Sequence, residues 1–365
     1  MIVGLPKETK DGERRIALTP QAIRDLTALG HAVRVERAAG QGAGFTDDEY
    51  RRAGAVIVEA AAQAFDADLV IKVKEIQAGE IGWLRPDSTL FGFLHLGADR
   101  TVASALIDKR VTAIAYEAVE DKDGALPLLA PMSAISGELA VFIAAHLLLA
   151  PQGGRGVTLR DARVLILGAG HAGAAAAEVA RRHGAAVTLL SRPGARLSSL
   201  AGRWGSDVHI AAATPDALLA ALAGADVLIG AVQVRGAATP KLIGAADLAK
   251  MGAGAVFIDL SIDGGGIAAT SRETSHSRPT FVAEGVIHYA VGNVPAAVPR
   301  SASIALSQAV LPYAQQLARG IGDALRGDAG LARGLQLLRG LVVQSGLAQT
   351  TERPLADADA LLHAC

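Results

Sequence analysis

The sequence predicts an α/β protein with two doubly wound, mainly parallel sheets. Three observations carry this. The chain has 365 residues, enough to bury two sizeable cores. Short apolar runs of β type alternate with amphipathic helical stretches through the first third, and the alternation resumes at residue 162. At 164–173, "VLILGAGHAG" joins an apolar run to an alanine-rich helical stretch through a glycine turn.

The elements follow in order. "MIVGLP" reads as a strand. "TPQAIRDLTALG" reads as a helix with Thr19 as its N-cap, Pro20 at the first position and Gly30 as its stop. "HAVRVERA" alternates as a strand, and "TDDEYRRAG" is a capped helix with acids in its first turn. "DLVIKVKE", "TLFGFLH" and "VTAIAYEAV" are strand candidates, with the helical "RTVASALIDKR" between the last two. An apolar helix is expected near 137–150, after "LPLLAPMSAISGE". The second set runs through "ARVLILG", "AAVTLLS", "ADVLIGAV" and "AVFIDLSID". Residues 301–325 read as one long helix with Pro312 inside it, where a kink or a local end is expected. A helical segment and a polar tail close the chain.

Composition excludes several classes. There are 35 Lys and Arg against 36 Asp and Glu, so no electrostatic footprint points to nucleic acid or to an anionic membrane. The single cysteine, Cys365, cannot form an internal disulfide or a cysteine metal cluster, and it reads as an incidental terminal thiol. The opening "MIVGLPKETK" lacks the apolar core of a signal peptide. The longest apolar run, 139–150, falls short of the roughly 20 residues that span a bilayer. A soluble, cytoplasmic protein is expected, with no membrane and no nucleic-acid partner.

Gly168, Gly170 and Gly173 make G-x-G-x-x-G in a strand–turn–helix context, the fingerprint of a Rossmann-type dinucleotide site. Gly168 would permit the tight turn, Gly170 would let the backbone approach a pyrophosphate, and Gly173 would let helix and strand pack closely. The helix N-terminus would offer free N–H groups to the phosphates. His171, inside the motif, reads as a solvent-facing loop residue. The fingerprint expects an acid about 20 residues on, to accept from ribose hydroxyls. Here the following strand ends in Ser191-Arg192, with Arg196 four residues beyond. Serine donates to phosphate oxygens and arginine pairs with them in a fork. NADP(H) is therefore favoured. NAD(H) remains the alternative if Arg192 stacks on adenine or faces solvent.

The chain resembles the alanine dehydrogenases, part of a superfamily shared with the transhydrogenase α subunits. The likeness rests on "VGLPKETKDGERRIALTP", "IKVKE", "FGFLHLGADR", "DGALPLLAPMS", "GAGHAG", "FIDLSIDGGG" and "EGVIHYAVGNVPAAVPRSASIAL", in that order over nearly the whole length. The resemblance implies a nucleotide domain, 128–299, inserted in a discontinuous substrate domain, 1–127 and 300–365. It also implies reversible oxidative deamination of L-alanine to pyruvate and ammonia, and a homo-hexamer. Arg15 matches the arginine that holds the substrate carboxylate. Lys74 matches the lysine at the carboxylate and keto oxygen, with Lys72 as the nearby alternative on the same strand face. His95 matches the catalytic histidine, and Asp263 the aspartate beside the nicotinamide. Ser133 matches a phosphate contact, and Asn293 a contact near the nicotinamide. The resemblance calls for no metal, and no metal-ligand spacing is present.

The chain departs from that pattern at four places. Ser191 stands where the ribose-binding acid is expected. In "MSAISGE", Ala134 replaces an acid and Glu138 a base. "GAVQVRGAATP" carries Gln233 and Arg235 where apolar residues and a proline are usual. The loop before "ARVLILG" is short. These keep two enzyme alternatives open: an NADPH-dependent opine-type reductase that condenses a keto acid with a larger amino acid, and a related dehydrogenase of a non-alanine substrate. A transhydrogenase α subunit fits less well, because its Arg-Gln-Asp loop is missing at "PMSAISGE". A non-catalytic NADP(H)-binding protein would leave Arg15, Lys74, His95 and Asp263 without purpose.

Overall fold

The computed structural model describes residues 1–234 and 238–363; Arg235 and Cys365, both singled out above, lie outside the described residues. The chain divides into two compact units, Met1–Met132 with Val298–Cys365, and Ser133–Ala297. In chain order the strands are β1 (Ile2–Leu5), β2 (Ala32–Glu36), β3 (Val56–Val58), β4 (Leu69–Ile71), β5 (Thr89–Gly92) and β6 (Thr112–Ala115), then β7 (Arg163–Leu167), β8 (Ala186–Ser191), β9 (Val208–Ala212), β10 (Val227–Gly230), β11 (Val256–Asp259), β12 (Thr280–Ala283) and β13 (Val286–Tyr289), and finally β14 (Leu335–Leu338) and β15 (Leu341–Val342).

The first unit holds an eight-stranded sheet in the order β15-β14-β6-β5-β4-β1-β2-β3. Its six N-terminal strands pair in parallel, and β14 adds to β6 antiparallel. The second unit holds seven strands in the order β12-β13-β11-β10-β7-β8-β9, parallel except for the β12–β13 hairpin. Both sheets are doubly wound. The winding reverses between β1 and β4 in the first, and between β7 and β10 in the second.

The apolar runs follow from burial on both faces. Val164 and Ile166 of β7 enter one core of the second unit with Val227, Ile229, Val256 and Ile258. Leu165 and Leu167 point the other way, into a core with Leu228 and Phe257. Alternate residues of a strand reach opposite faces, so a strand covered on both sides must be apolar throughout. Each such side chain contributes about 1.5–3 kcal/mol when fully buried.

Several expectations need correction. The apolar helix begins at Ala130, not near 137, so "PMSAISGE" is helical. Pro131 sits in its first turn, where a proline costs no hydrogen bond. By length and hydropathy this helix could cross a membrane, but Ala140, Val141, Ala144 and Leu147 lie in the core of the second unit. The C-terminal helix is not continuous over 301–325: Pro299–Arg319 runs through Pro312, stops at Gly320, and a separate helix spans Ile321–Gly327. The last part of the chain is not all helix and tail, because β14 and β15 form a hairpin. Thr19 holds the expected cap position, but its hydroxyl does not cap the helix. It pairs with Ser307 Oγ at 3.2 Å. Thr46 does cap its helix, in a reciprocal box with Glu49.

Candidate active site

In an open α/β sheet a ligand crevice forms where the winding reverses, beyond the carboxyl ends of the strands. In the first unit the loops after β1, β4, β5 and β6 carry Arg15, Lys74, His95 and Glu117 respectively. Arg15 is not a surface arginine. It is 2% exposed and gripped by Glu13, with Nε 2.8 Å from Oε1 and Nη2 2.5 Å from Oε2. Its Nη1 donates to the Met132 sulfur at 3.2 Å, a weak acceptor. Glu13 thus fixes the plane of the guanidinium.

Strand β4 ends at Ile71, so Lys72 and Lys74 stand on the loop beyond it. Lys72 points inward and is completely buried, 3.1 Å from both Glu8 and Glu80. Burial alone would pull its amine down, but the two carboxylates hold it above the ordinary lysine value. This makes Lys72 a structural cation. Lys74 is half-buried, and burial followed by the charges of Arg15 and Lys10 lowers its pKa. Arg15 and Lys74 are therefore close enough to sense each other.

His95 takes a left-handed backbone, φ 43°, at the end of the β5 loop. A non-glycine residue there costs of order 1–3 kcal/mol and persists only when its surroundings hold it. Glu117 does so: its carboxylate accepts from the His95 N–H at 2.7 Å and from the Leu94 N–H at 3.2 Å. The same Glu117 lies 3.6 Å from His95 Nδ1, and the ring stacks on Phe93. Nδ1 faces the carboxylate, which leaves Nε2 as the outward nitrogen of a half-exposed ring.

The second unit builds its crevice from backbone. Gly168, at the end of β7, has φ 106°, and a Cβ there would collide with the Ala231 carbonyl after β10. A Cβ at Gly173 would collide with the Gly168 carbonyl. At Gly170 a Cβ would meet nothing within 4 Å. Gly170 also caps helix His171–Arg182, and as a glycine it brings no side chain to the first amides. Open space before bare helical N–H groups is what a pyrophosphate requires. His171 is not a solvent-facing loop residue. It opens the helix, is half-buried, and its pKa is lowered by burial and then by Arg196. Ser133 lies four residues, about one turn, before Gly137, whose Cα abuts the Ala172 carbonyl at the start of the same helix.

The three residues in place of the ribose acid behave differently. Ser191 Oγ accepts from the Ala169 N–H at 3.2 Å, and Arg196 Nε donates to the Ala169 carbonyl at 2.5 Å. One residue of the glycine turn, Ala169, is thus held at both its amide and its carbonyl. Arg192 is exposed. After β11, Asp263 is exposed in the turn Ile262–Gly264. Asp259, buried at the strand end, braces that loop by accepting from Ser261 N, Ile267 N and Ser271 Oγ. Burial raises its pKa. Asp263 Oδ1 and Glu273 Oε1 lie 3.0 and 2.8 Å from where a Gly292 Cβ would stand, and the next residue, Asn293, is left-handed at φ 61°. Asp263 and Glu273 therefore converge on the loop that carries Asn293. Of the departures, Ala134 is half-buried, while Glu138 and Gln233 are exposed. Among the described residues no cluster could hold a metal ion.

Sequence reasoning missed Glu8, Glu13, Glu80, Glu117, Asp259 and Glu273. Only Glu13 left a signal, its position two residues before Arg15.

Two doubly wound units, one with a glycine turn open to a pyrophosphate and the other with an arginine–lysine–histidine crevice, define a dinucleotide-dependent oxidoreductase class. Comparisons sharpen the class. The profile "Alanine dehydrogenase/PNT, N-terminal domain" matches residues 4–136, and "Alanine dehydrogenase/PNT, C-terminal domain" matches 140–345. The chain is 42% identical over 370 residues to an alanine dehydrogenase of Halomonas elongata, covering 99% of this chain and 100% of that one. An alanine dehydrogenase of Mycobacterium tuberculosis is 41% identical with the same coverage. A solved L-alanine dehydrogenase superposes with a TM-score of 0.93 at 41% identity, over 96% of this chain and 99% of that one. A transhydrogenase from Sinorhizobium meliloti gives 0.81 at 25% identity, over 94% and 99%. The chain belongs to the alanine dehydrogenase/PNT family. The expected two-domain α/β fold and the expected nicotinamide dinucleotide cofactor stand on these matches.

Proposed function

We propose that the protein is an L-alanine dehydrogenase that interconverts L-alanine with pyruvate and ammonia and favours NADP(H). The observation that carries the reading is the set Arg15, Lys74 and His95 on successive strand-end loops at the reversal of one sheet. Glu13 holds Arg15 through Nε and Nη2, and Nη1 meets the Met132 thioether, a weak acceptor that a keto-acid carboxylate displaces because charged acceptors bind more strongly. Lys74, with its lowered pKa, donates to the keto oxygen and yields its proton readily. His95, oriented through Nδ1 by Glu117, moves the proton of the carbinolamine at Nε2 as water leaves. Asp263 is the residue that helps to activate water or ammonia beside the nicotinamide. The dihydronicotinamide, when bound, supplies hydride to the imine carbon. Ser133, Gly168, Gly170, Gly173 and Asn293 position the dinucleotide.

The NADP(H) preference rests on the missing carboxylate. Ser191 brings no charge to repel a 2′-phosphate, and Arg192 and Arg196 are close in sequence to receive one. Charge-assisted hydrogen bonds of about 1.5–3 kcal/mol amount to one or two decades in affinity. Oxidation of NADPH and NADH is followed at 340 nm with pyruvate and ammonium. Faster turnover with NADPH is expected. Faster turnover with NADH removes the phosphate argument but keeps the enzyme. Turnover only when ornithine or lysine replaces ammonium favours the opine-type alternative. The assembly, a homo-hexamer by family likeness, is read by light scattering, and the cytoplasmic location by fractionation.

A further inference from the structure

Behind the proposed keto-acid crevice lies a set of buried charges that the reaction does not use. Lys72, Glu8 and Glu80 have side chains 0%, 4% and 2% exposed. Burying three charges is expensive, and an apolar trio of similar volume is often as stable or more so. Core stability alone is a weak reason for them. Their contacts suggest another. Glu8 Oε1 accepts from the Val73 N–H at 2.6 Å and Glu8 Oε2 from the Lys74 N–H at 3.4 Å. These are the amides where the chain leaves β4. Lys72 holds Glu8 Oε2 from the other side, and Glu80 anchors Lys72. Glu80 is itself fixed by the Thr9 hydroxyl at 2.5 Å and the Gln77 N–H at 2.9 Å. A second tie, Lys10 to Glu75 at 2.5 Å, joins the same two loops.

We propose that Glu8, braced by Lys72 and Glu80, is the positioning residue that sets the Lys74 side chain against Arg15. The carboxylate clamps the backbone at 73–74 between the loops after β1 and β4. The direction of the Lys74 side chain follows from that clamp. In the catalytic context this rests on the proposed function, but the placement of Lys74 does not.

The two are tested separately with Glu8→Gln. Amine-reactive labelling of the full-length protein across a pH series, with each lysine resolved by mass spectrometry, reports the titration of Lys74 without any substrate. Removing a nearby negative charge would only push the Lys74 amine further down. Releasing the side chain from burial and from Arg15 pushes it up towards the ordinary lysine value of 10.5. An upward move is expected, with Lys10 as internal reference. A Lys74 titration that stays put or falls overturns the proposal, whatever the kinetics. The functional readout is a KM for pyruvate raised about tenfold, as for one weakened hydrogen bond to a charged group, while NADPH affinity by fluorescence stays unchanged. Glu8→Asp recovers part of that KM. A loss of thermal stability with KM intact also overturns the proposal. Should Glu8→Gln fail to fold, Glu80→Gln keeps the Glu8 clamp but loosens Lys72, and a smaller upward move of Lys74 is expected. An upward move in a parent protein without alanine turnover leaves the positioning role standing and removes the substrate reading.

Discussion

The two crevices solve the same geometric problem with different materials. Both lie where a doubly wound sheet reverses. The first unit presents polar side chains on loops steadied by carboxylates: Arg15 by Glu13, the Lys74 backbone by Glu8, the His95 backbone by Glu117. The second unit presents backbone amides and empty space, with side chains removed at Gly168, Gly170 and Gly173. A small carboxylate ligand needs convergent charge, which must be pinned against water and against its neighbours. A pyrophosphate is met by a helix end that the chain provides without side chains. One crevice should therefore fail when charge is removed, and the other when a methyl group is added.

The most severe break is expected at His95. His95→Asn tolerates the left-handed backbone and removes the proton carrier. Turnover with pyruvate and ammonium should fall about 10²–10⁴-fold, with the circular dichroism spectrum unchanged. Arg15→Met comes next. It takes the guanidinium away from the buried Glu13 carboxylate and should cost about 3–5 kcal/mol in urea unfolding, besides raising the KM for pyruvate. The matched change across the comparison is Gly170→Ala, where φ is −66° and the space is open. Its stability should stay within about 0.5 kcal/mol of the parent, while NADPH affinity by fluorescence titration drops. Equal destabilisation by the two variants would erase the distinction between the crevices. Ser191→Asp should restore an acceptor for ribose hydroxyls and repel a 2′-phosphate. The ratio of kcat/KM for NADPH over NADH should fall about ten- to a hundredfold.

The smallest effect is a pH dependence. Lys74 has a lowered pKa, so its ammonium form persists on the acid side and is lost before the ordinary lysine value of 10.5 is reached. The KM for pyruvate should begin to rise on the alkaline side below that value. A flat profile up to that pH removes Lys74 from binding the keto acid.

The legibility of the sequence divides along the same line. The glycine turn was readable because close approach leaves no other residue type, and β7, β10 and β11 were readable because burial on both faces demands unbroken apolar runs. Glu8, Lys72 and Glu80 were not. A buried charge and a solvated one are spelled alike, and only the fold brings residue 8 to residue 80. Glu273 and Asp263 meet at Gly292 for the same reason, with no spacing rule to announce it. The early start of helix Ala130–Leu147 was hidden because Pro131 reads equally as a loop residue. The β14–β15 hairpin was hidden because "LQLL" is too short to distinguish strand from helix. The family likeness supplied what spacing could not for Arg15, Lys74 and His95.

The sheet of the first unit is completed by β14, which pairs Leu335 with Ile114 and Leu337 with Ala113. The second unit, by contrast, is one uninterrupted stretch, Ser133–Ala297. On the ribosome the stretch that starts second can fold first. The six strands made at the outset wait, with the β6 edge bare, until some two hundred further residues have been translated. An unpaired edge of that duration invites association with other nascent chains, so premature termination before residue 335 should release a product that is sticky rather than merely inactive.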